Sequence, residues 1–234
     1  GKTITSLNCL LEIYKRLGYY KAMILVPTIT LVDQWEVECK KFNFDNITKV
    51  CSKTKNWKSS VANLRMLEMS GANDKLSYII IATYASFVRS NIFLELNKFP
   101  KQKLLLIADE AHNMGSGQMI NRLNEIPYLR RIGLSATPER QYDESGNRIL
   151  MDFFGCAENY TFEYSMAEAI ENEALCRYYY YPHIVKLRES EMVEYVELSK
   201  KIVKMMGFKD TDSQEMLKRL LLKRKRIIHK AENK

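Results

Sequence analysis

Apolar positions along this chain alternate between helical spacing and unbroken runs. Ile4, Leu7, Leu10, Leu11, Tyr14 and Leu17 recur three and four residues apart. That spacing predicts an amphipathic helix, closed by Gly18. "AMILVP" at 22–27 predicts a buried strand ended by Pro27. Thr28 or Thr30 can cap the next helix, which carries Leu31, Trp35 and Val37. "TKVCS" at 48–52 reads as a short strand and 57–70 as a helix. "YIIIAT" at 78–83 is a strand, followed by a helix over 84–97. Pro100 breaks the chain before the strand "KLLLIADE" at 103–110. A Gly/Ser loop at 115–117 precedes a short helix over 118–125, and "RRIGLSAT" at 130–137 is the next strand.

The strand runs are continuously apolar rather than alternating, which predicts strands buried on both faces. With helical crossovers between them, they predict an α/β fold built on a mainly parallel sheet. Ligands in such folds sit beyond the C-terminal ends of the strands. The polar residues that follow each run are therefore the candidates for chemistry.

The pattern changes near residue 165. "MAEAIENEALCR" reads as a helix or linker. "YYYYPHIVKL" at 178–187 reads as a strand, confined by Pro182 to an edge or bulge. Helices are expected over 189–206 and 213–232, separated by Gly207 and a polar turn. The expected division is 1–166 for the α/β domain and 167–234 for a linker, edge strand and two helices.

Composition narrows the reading. The chain has 234 residues, 46% of them hydrophobic, enough to bury a core. No apolar run approaches the ~18 residues of a membrane span, and a membrane is not an expected partner. Cys9, Cys39, Cys51, Cys156 and Cys176 contain no C-x-x-C pair, which argues against a disulfide framework or a zinc cluster. The formal net charge is +8, but residues 201–234 hold eleven Lys/Arg against four Asp/Glu. The basicity thus belongs to the C-terminal stub and says little about nucleic-acid binding by the rest. In "LKRLLLKRKRIIHK" (217–230) an apolar stripe favours a packed helix with a solvated basic face. Trp35, Trp57 and the tyrosine run 178–181 read as packing rather than base-stacking surfaces, and His183 and His229 receive no role.

Three motifs carry chemistry. In "LLLIADEAH" an apolar strand delivers Asp109 and Glu110 to its C-terminal edge, where successive side chains diverge. One carboxylate can hold hydrated magnesium and the other can orient or deprotonate a water attacking a phosphate. In "GLSATPER", Ser135 and Thr137 place two hydroxyls at the end of a strand stopped by Pro138. The opening "GKT" matches the last part of the phosphate loop G-x-x-x-x-G-K-[ST], with Gly1 as its final glycine. A helix N-terminus there offers unpaired N–H groups and partial positive charge to phosphate.

In this order and spacing, the three motifs make the chain resemble the first RecA-like motor domain of a superfamily 2 DEAH-type helicase or translocase. The resemblance extends to the group with XPB-like helicases and the motor subunits of restriction and phage-defence systems. "LVPTITLVDQW" (25–35), "IATYASF" (81–87), the downstream "FFG" and "AEAIENEALCRYYYYPHIVKL" add to it. It implies an ATP- and Mg2+-dependent motor acting on single- or double-stranded DNA. Gly1, Lys2 and Thr3 would bind the triphosphate, Thr3 and Asp109 the magnesium, and Glu110 would be the catalytic base. His112, Ser135, Ala136 and Thr137 would couple nucleotide state to the track. Pro27, Thr28, Leu31, Thr83 and Tyr84 would contact strand phosphates without reading bases. A cytoplasmic setting and further subunits of a restriction, defence or repair complex are also implied. An RNA-directed motor of the same superfamily and a non-catalytic nucleotide-sensing scaffold are the alternatives.

Measured against the family pattern, the start of the phosphate loop, its strand and the second motor domain with its arginine finger are missing. The chain therefore reads as a truncated piece. Such fingers supply ~10³–10⁵ in rate, so the isolated piece is expected to hydrolyse ATP very poorly. The first helix is expected to aim its N-terminus at the Asp109–Glu110 strand end. The sheet is expected to lack the strand before Gly1 or to borrow a substitute.

Overall fold

The computed structural model describes residues 1–70, 75–99, 103–115, 117–126, 128–140, 143–156, 159–182, 184–205 and 211–231. Expectations for Pro100, Ser116, His183, Gly207 and the end of the last helix lie outside these residues. The chain divides into two compact units, Gly1–Glu163 and Tyr164–Lys234.

The first unit alternates helix and strand. Helix α1 (Lys2–Leu17) leads to β1 (Lys21–Val26), α2 (Ile29–Lys41), β2 (Ile47–Val50) and α3 (Trp57–Met69). Then come β3 (Tyr78–Thr83), α4 (Tyr84–Phe87), α5 (Ser90–Leu96) and β4 (Leu105–Asp109). A 3-10 turn (Ala111–Gly115), α6 (Gly117–Ile120), a second 3-10 turn (Leu123–Glu125), β5 (Arg130–Leu134) and α7 (Glu144–Phe154) complete it. The helix expected over 84–97 is two, because Arg89 is extended between them. The helix expected over 118–125 shrinks to α6 and a 3-10 turn.

All pairings are parallel, in the order β2-β3-β1-β4-β5. From β1 the chain crosses to one side to build β3 and β2, then to the other for β4 and β5. The C-terminal ends of β1, β3 and β4 thus flank a topological switch point.

Alternate side chains of each strand feed two cores. Ala22, Ile24, Val26, Ile79, Ile81, Leu105 and Ile107 pack with Leu7, Leu10, Val32 and Trp35 of α1 and α2. Met23, Leu25, Ile80, Ala82, Leu106 and Ala108 pack with residues of α3, α5, α6 and α7 on the other face. β1, β3 and β4 are buried throughout, as their unbroken apolar runs predict. β5 departs from that expectation: Arg130 and Gly133 are exposed, and it is an outer strand among the described residues.

The second unit contains α8 (Met166–Glu171), α9 (Glu189–Met205) and α10 (Thr211–Lys230). Leu198 and Ile202 of α9 pack on Leu220, with Leu217 and Ile227 beside them, so part of the apolar stripe of the basic helix is packed as expected, while Leu221 and Ile228 of the same stripe are exposed. The strand expected over 178–187 does not form in the described residues. Tyr179, Tyr180, Tyr181 and Ile184 stand in solvent, and this unit offers no second described strand to accept their backbone hydrogen bonds. Among the described residues no helix is long and apolar enough to cross a membrane.

Candidate functional site

The N-terminus of α1 and the end of β4 meet at one rim of the sheet. Lys2 Nζ lies 3.0 Å from Glu110 Oε1, as expected for a first helix aimed at that strand end. Gly1 is the N-cap of α1 and makes no side-chain cap, and the first turn carries no acidic residue. Its leading N–H groups have no intrahelical partner and face outward with partial positive charge. No protein atom lies within 4 Å of where a Gly1 Cβ would stand. Any need for glycine there comes from something that approaches the backbone, not from the surrounding fold.

Asp109 ends β4 and is 8% exposed. Its Oδ1 accepts the Glu110 N–H at 3.1 Å and its Oδ2 accepts the Trp35 indole N–H at 2.9 Å. Its backbone carbonyl accepts the Tyr84 hydroxyl at 2.8 Å. The carboxylate is therefore fixed in rotation, yet each oxygen has a spare lone pair. A fixed, nearly buried carboxylate with spare acceptor capacity suits a hydrated magnesium ion, which keeps several of its waters. Lys2, the free α1 N–H groups, the half-buried Thr3 and this carboxylate form a donor and acceptor set that fits a magnesium-bound triphosphate.

Glu110 turns the chain out of the strand. Its φ is +49°, a left-handed conformation that costs a residue with a Cβ. Asn113 holds the turn, its N–H and its side-chain amide both donating to the Glu110 carbonyl at 2.9 Å. This aims the Glu110 carboxylate to the side of the rim where Lys2 lies, while Asp109 points to the α1–α2 face.

His112 bridges two strand ends. Its Nδ1 is 3.0 Å from Ser135 Oγ and 3.5 Å from Glu110 Oε2, while Nε2 takes the Asn113 amide N–H at 3.3 Å. In the tautomer whose Nε2 accepts from Asn113, the Nδ1 proton faces both Ser135 and Glu110. Ser135 Oγ also accepts the Thr137 N–H at 3.2 Å, which folds the turn after β5. Ala136 and Thr137 are exposed beside it.

The residues expected to meet a nucleic-acid strand divide. Thr28 is exposed at the end of β1, caps α2 by accepting the Leu31 N–H at 3.3 Å, and leaves its face open. Leu31 is half-buried against the α1–α2 core. Pro27 lines a cavity of about 380 Å³ together with Tyr84, Val88, Asn113 and Gln118. Thr83 and Tyr84 require correction as hydroxyl donors to a strand. Thr83 Oγ1 is buried, donating to Ser86 Oγ at 2.9 Å and accepting the Ser86 N–H at 3.2 Å. Tyr84 is 7% exposed and its hydroxyl is spent on Asp109. Burial above all, with the Asp109 and Glu110 carboxylates adding to it, pushes the Tyr84 phenol well above its ordinary range. It stays a protonated donor.

Trp35 is the residue that sequence reasoning missed. Packing was expected and is observed, but the indole N–H also grips Asp109. A buried indole must find an acceptor, and the Asp109 carboxylate across the same face supplies it.

Comparisons with known proteins bear on the family and the fold. The family model described as "Type III restriction enzyme, res subunit" matches residues 1–140. The DNA 3'-5' translocase XPB2 of Sulfurisphaera tokodaii is 35% identical over 123 residues, covering 50% of this chain and 21% of that protein. A solved nuclease-deletion mutant of the Type ISP restriction-modification enzyme LlaGI, in complex with a DNA substrate mimic, aligns at 19% identity with a TM-score of 0.52. That alignment covers 92% of this chain and 20% of the LlaGI chain. The Pyrococcus furiosus Hef helicase domain aligns with a TM-score of 0.49 at 17% identity, over 88% of this chain and 42% of that one. The chain thus spans less than half the length of each of these relatives.

Proposed function

The chain belongs to the type III restriction enzyme res-subunit family and is a superfamily 2 helicase-like RecA domain, and from that premise we propose that it is the first motor domain of an ATP-dependent DNA translocase or helicase. The observation that carries the reading is the meeting of the Lys2 ammonium, the Glu110 carboxylate and the braced Asp109 at one rim of the sheet. Family membership implies ATP use, typically with magnesium. When bound, the metal would neutralise charge developing on the transferred phosphoryl group.

The chain's own residues take distinct parts. Lys2 leaves Glu110 and reaches for terminal phosphate oxygens. The free N–H groups of α1 cradle the same anion, with Gly1 allowing close approach. The Thr3 hydroxyl and the Asp109 carboxylate would hold the metal, Asp109 with the lone pairs that its Trp35 and Glu110 donors leave spare. Glu110, released by Lys2, orients the attacking water and takes its proton. His112 senses that carboxylate and passes its state to Ser135, Ala136 and Thr137 after β5. The strand track runs past Pro27 and Thr28, with Thr83 and Tyr84 contributing backbone rather than hydroxyls.

DNA is favoured over RNA by the XPB2 relative, which is a DNA 3'-5' translocase. Residues 167–234 are read as a linker and the beginning of a second motor domain, and the setting as cytoplasmic, alongside other subunits of a restriction, defence or repair complex. The test is ATPase activity of the intact protein with duplex DNA, single-stranded DNA and RNA. Stimulation by either DNA and not by RNA is expected; stimulation by RNA alone overturns the reading.

A further inference from the structure

We propose that Trp35 and Tyr84 are positioning residues that clamp Asp109 from opposite faces of the sheet, so that the segments following β1 and β3 set the grip on the nucleotide-bound metal. The inference rests on the metal role given to Asp109 above.

Two buried aromatic donors converge on one residue. Trp35 comes from α2, on the face packed by α1 and α2, and reaches the carboxylate oxygen Oδ2 at 2.9 Å. Tyr84 comes from α4, on the other face, and reaches the backbone carbonyl at 2.8 Å. Trp35 is 2% exposed and Tyr84 7%, so neither donor can exchange its partner for water. One bond fixes the rotation of the carboxylate, and the other fixes the peptide on which Asp109 and Glu110 turn.

Both donors are short extensions of the segments nearest the proposed track. Trp35 lies two turns into the helix that Thr28 caps, and Tyr84 directly follows Thr83. A strand pressing on the exposed Thr28 end would move α2 as a unit and the indole with it. The metal-side carboxylate would follow, since its Oδ2 is bound to that indole. Partners that orient a metal-binding group typically contribute 10–100-fold in metal affinity.

The test uses the intact protein with a non-hydrolysable ATP analogue and manganese(II), read by the electron paramagnetic resonance signal of free manganese. Trp35→Phe and Tyr84→Phe remove one donor atom each while keeping most of the ring volume. Each is expected to weaken manganese binding by about tenfold, with binding of the analogue in EDTA unchanged. A second reading isolates Trp35 as the fluorescence difference between the intact protein and its Trp35→Phe variant. The Trp35 emission is expected to change when manganese, rather than EDTA, accompanies the analogue. Unchanged manganese affinity in both ring variants, or unchanged emission, overturns the proposal. Asp109→Asn separates the two levels. If it too leaves manganese affinity unchanged, the metal role of Asp109 itself is lost; if it alone weakens binding, only the clamp is lost.

Discussion

Lys2 Nζ and Glu110 Oε1 stand 3.0 Å apart, joining the first turn of α1 to the end of β4 across 108 positions of sequence. The pair is partly open to solvent, with side-chain exposures of 40% and 32%. Such pairs contribute at most ~1 kcal/mol because water screens them. The link is therefore easily exchanged when a polyphosphate competes for Lys2, and Glu110 is then free.

Lys2→Ala in the intact protein should weaken ATP binding by about 10–100-fold, the loss expected of one charge-assisted contact of ~1.5–3 kcal/mol. Calorimetric titration checks this. Unchanged affinity would remove Lys2 from the phosphate site.

At the opposite end of β1, Lys21 is paired with Glu68 at 2.6 Å, and both side chains are almost fully buried. The pair ties β1 to α3. Glu68→Ala would leave an uncompensated buried ammonium and should cost about 3–5 kcal/mol of stability. Replacing both residues by methionine should recover most of that loss. Urea unfolding measures both, and a Glu68→Ala midpoint equal to wild type would contradict the account.

Alkaline pH should destabilise the first unit. Burial raises the Tyr78, Tyr84 and Tyr128 phenols, and it raises the Cys39 thiol to about 12. Unfolded, these groups ionise near 10.0 and 9.0; folded, they keep their protons. Between those limits the folded state binds more protons, so stability is full below pH 9 and falls as pH rises towards the folded values. Urea midpoints at pH 8 and 10.5 should show the drop. A flat profile would contradict it.

Much of this was legible in the chain. The unbroken runs of β1, β3 and β4 marked buried parallel strands, and the motifs at Gly1–Thr3, Asp109–Glu110 and Ser135–Thr137, with their order and spacing, marked strand or helix ends. Other features depended on partners that local pattern does not encode. The tyrosine run at 178–181 has β-forming residues, but a strand exists only with a neighbour to pair with. Thr83 ends β3 and Tyr84 follows it, a position that looks exposed, yet the turn at Thr83 tucks both side chains inward. Trp35 read as packing because nothing in its own segment shows that Asp109 lies across the same face.

The most direct measurement is the DNA-stimulated ATPase rate of the intact protein carrying Glu110→Gln. The account predicts at least ~100-fold slower turnover, the lower range of what a general base contributes, with ATP still bound. Turnover equal to wild type would contradict the catalytic role of Glu110 and, with it, the reading of this rim as a motor's hydrolytic site.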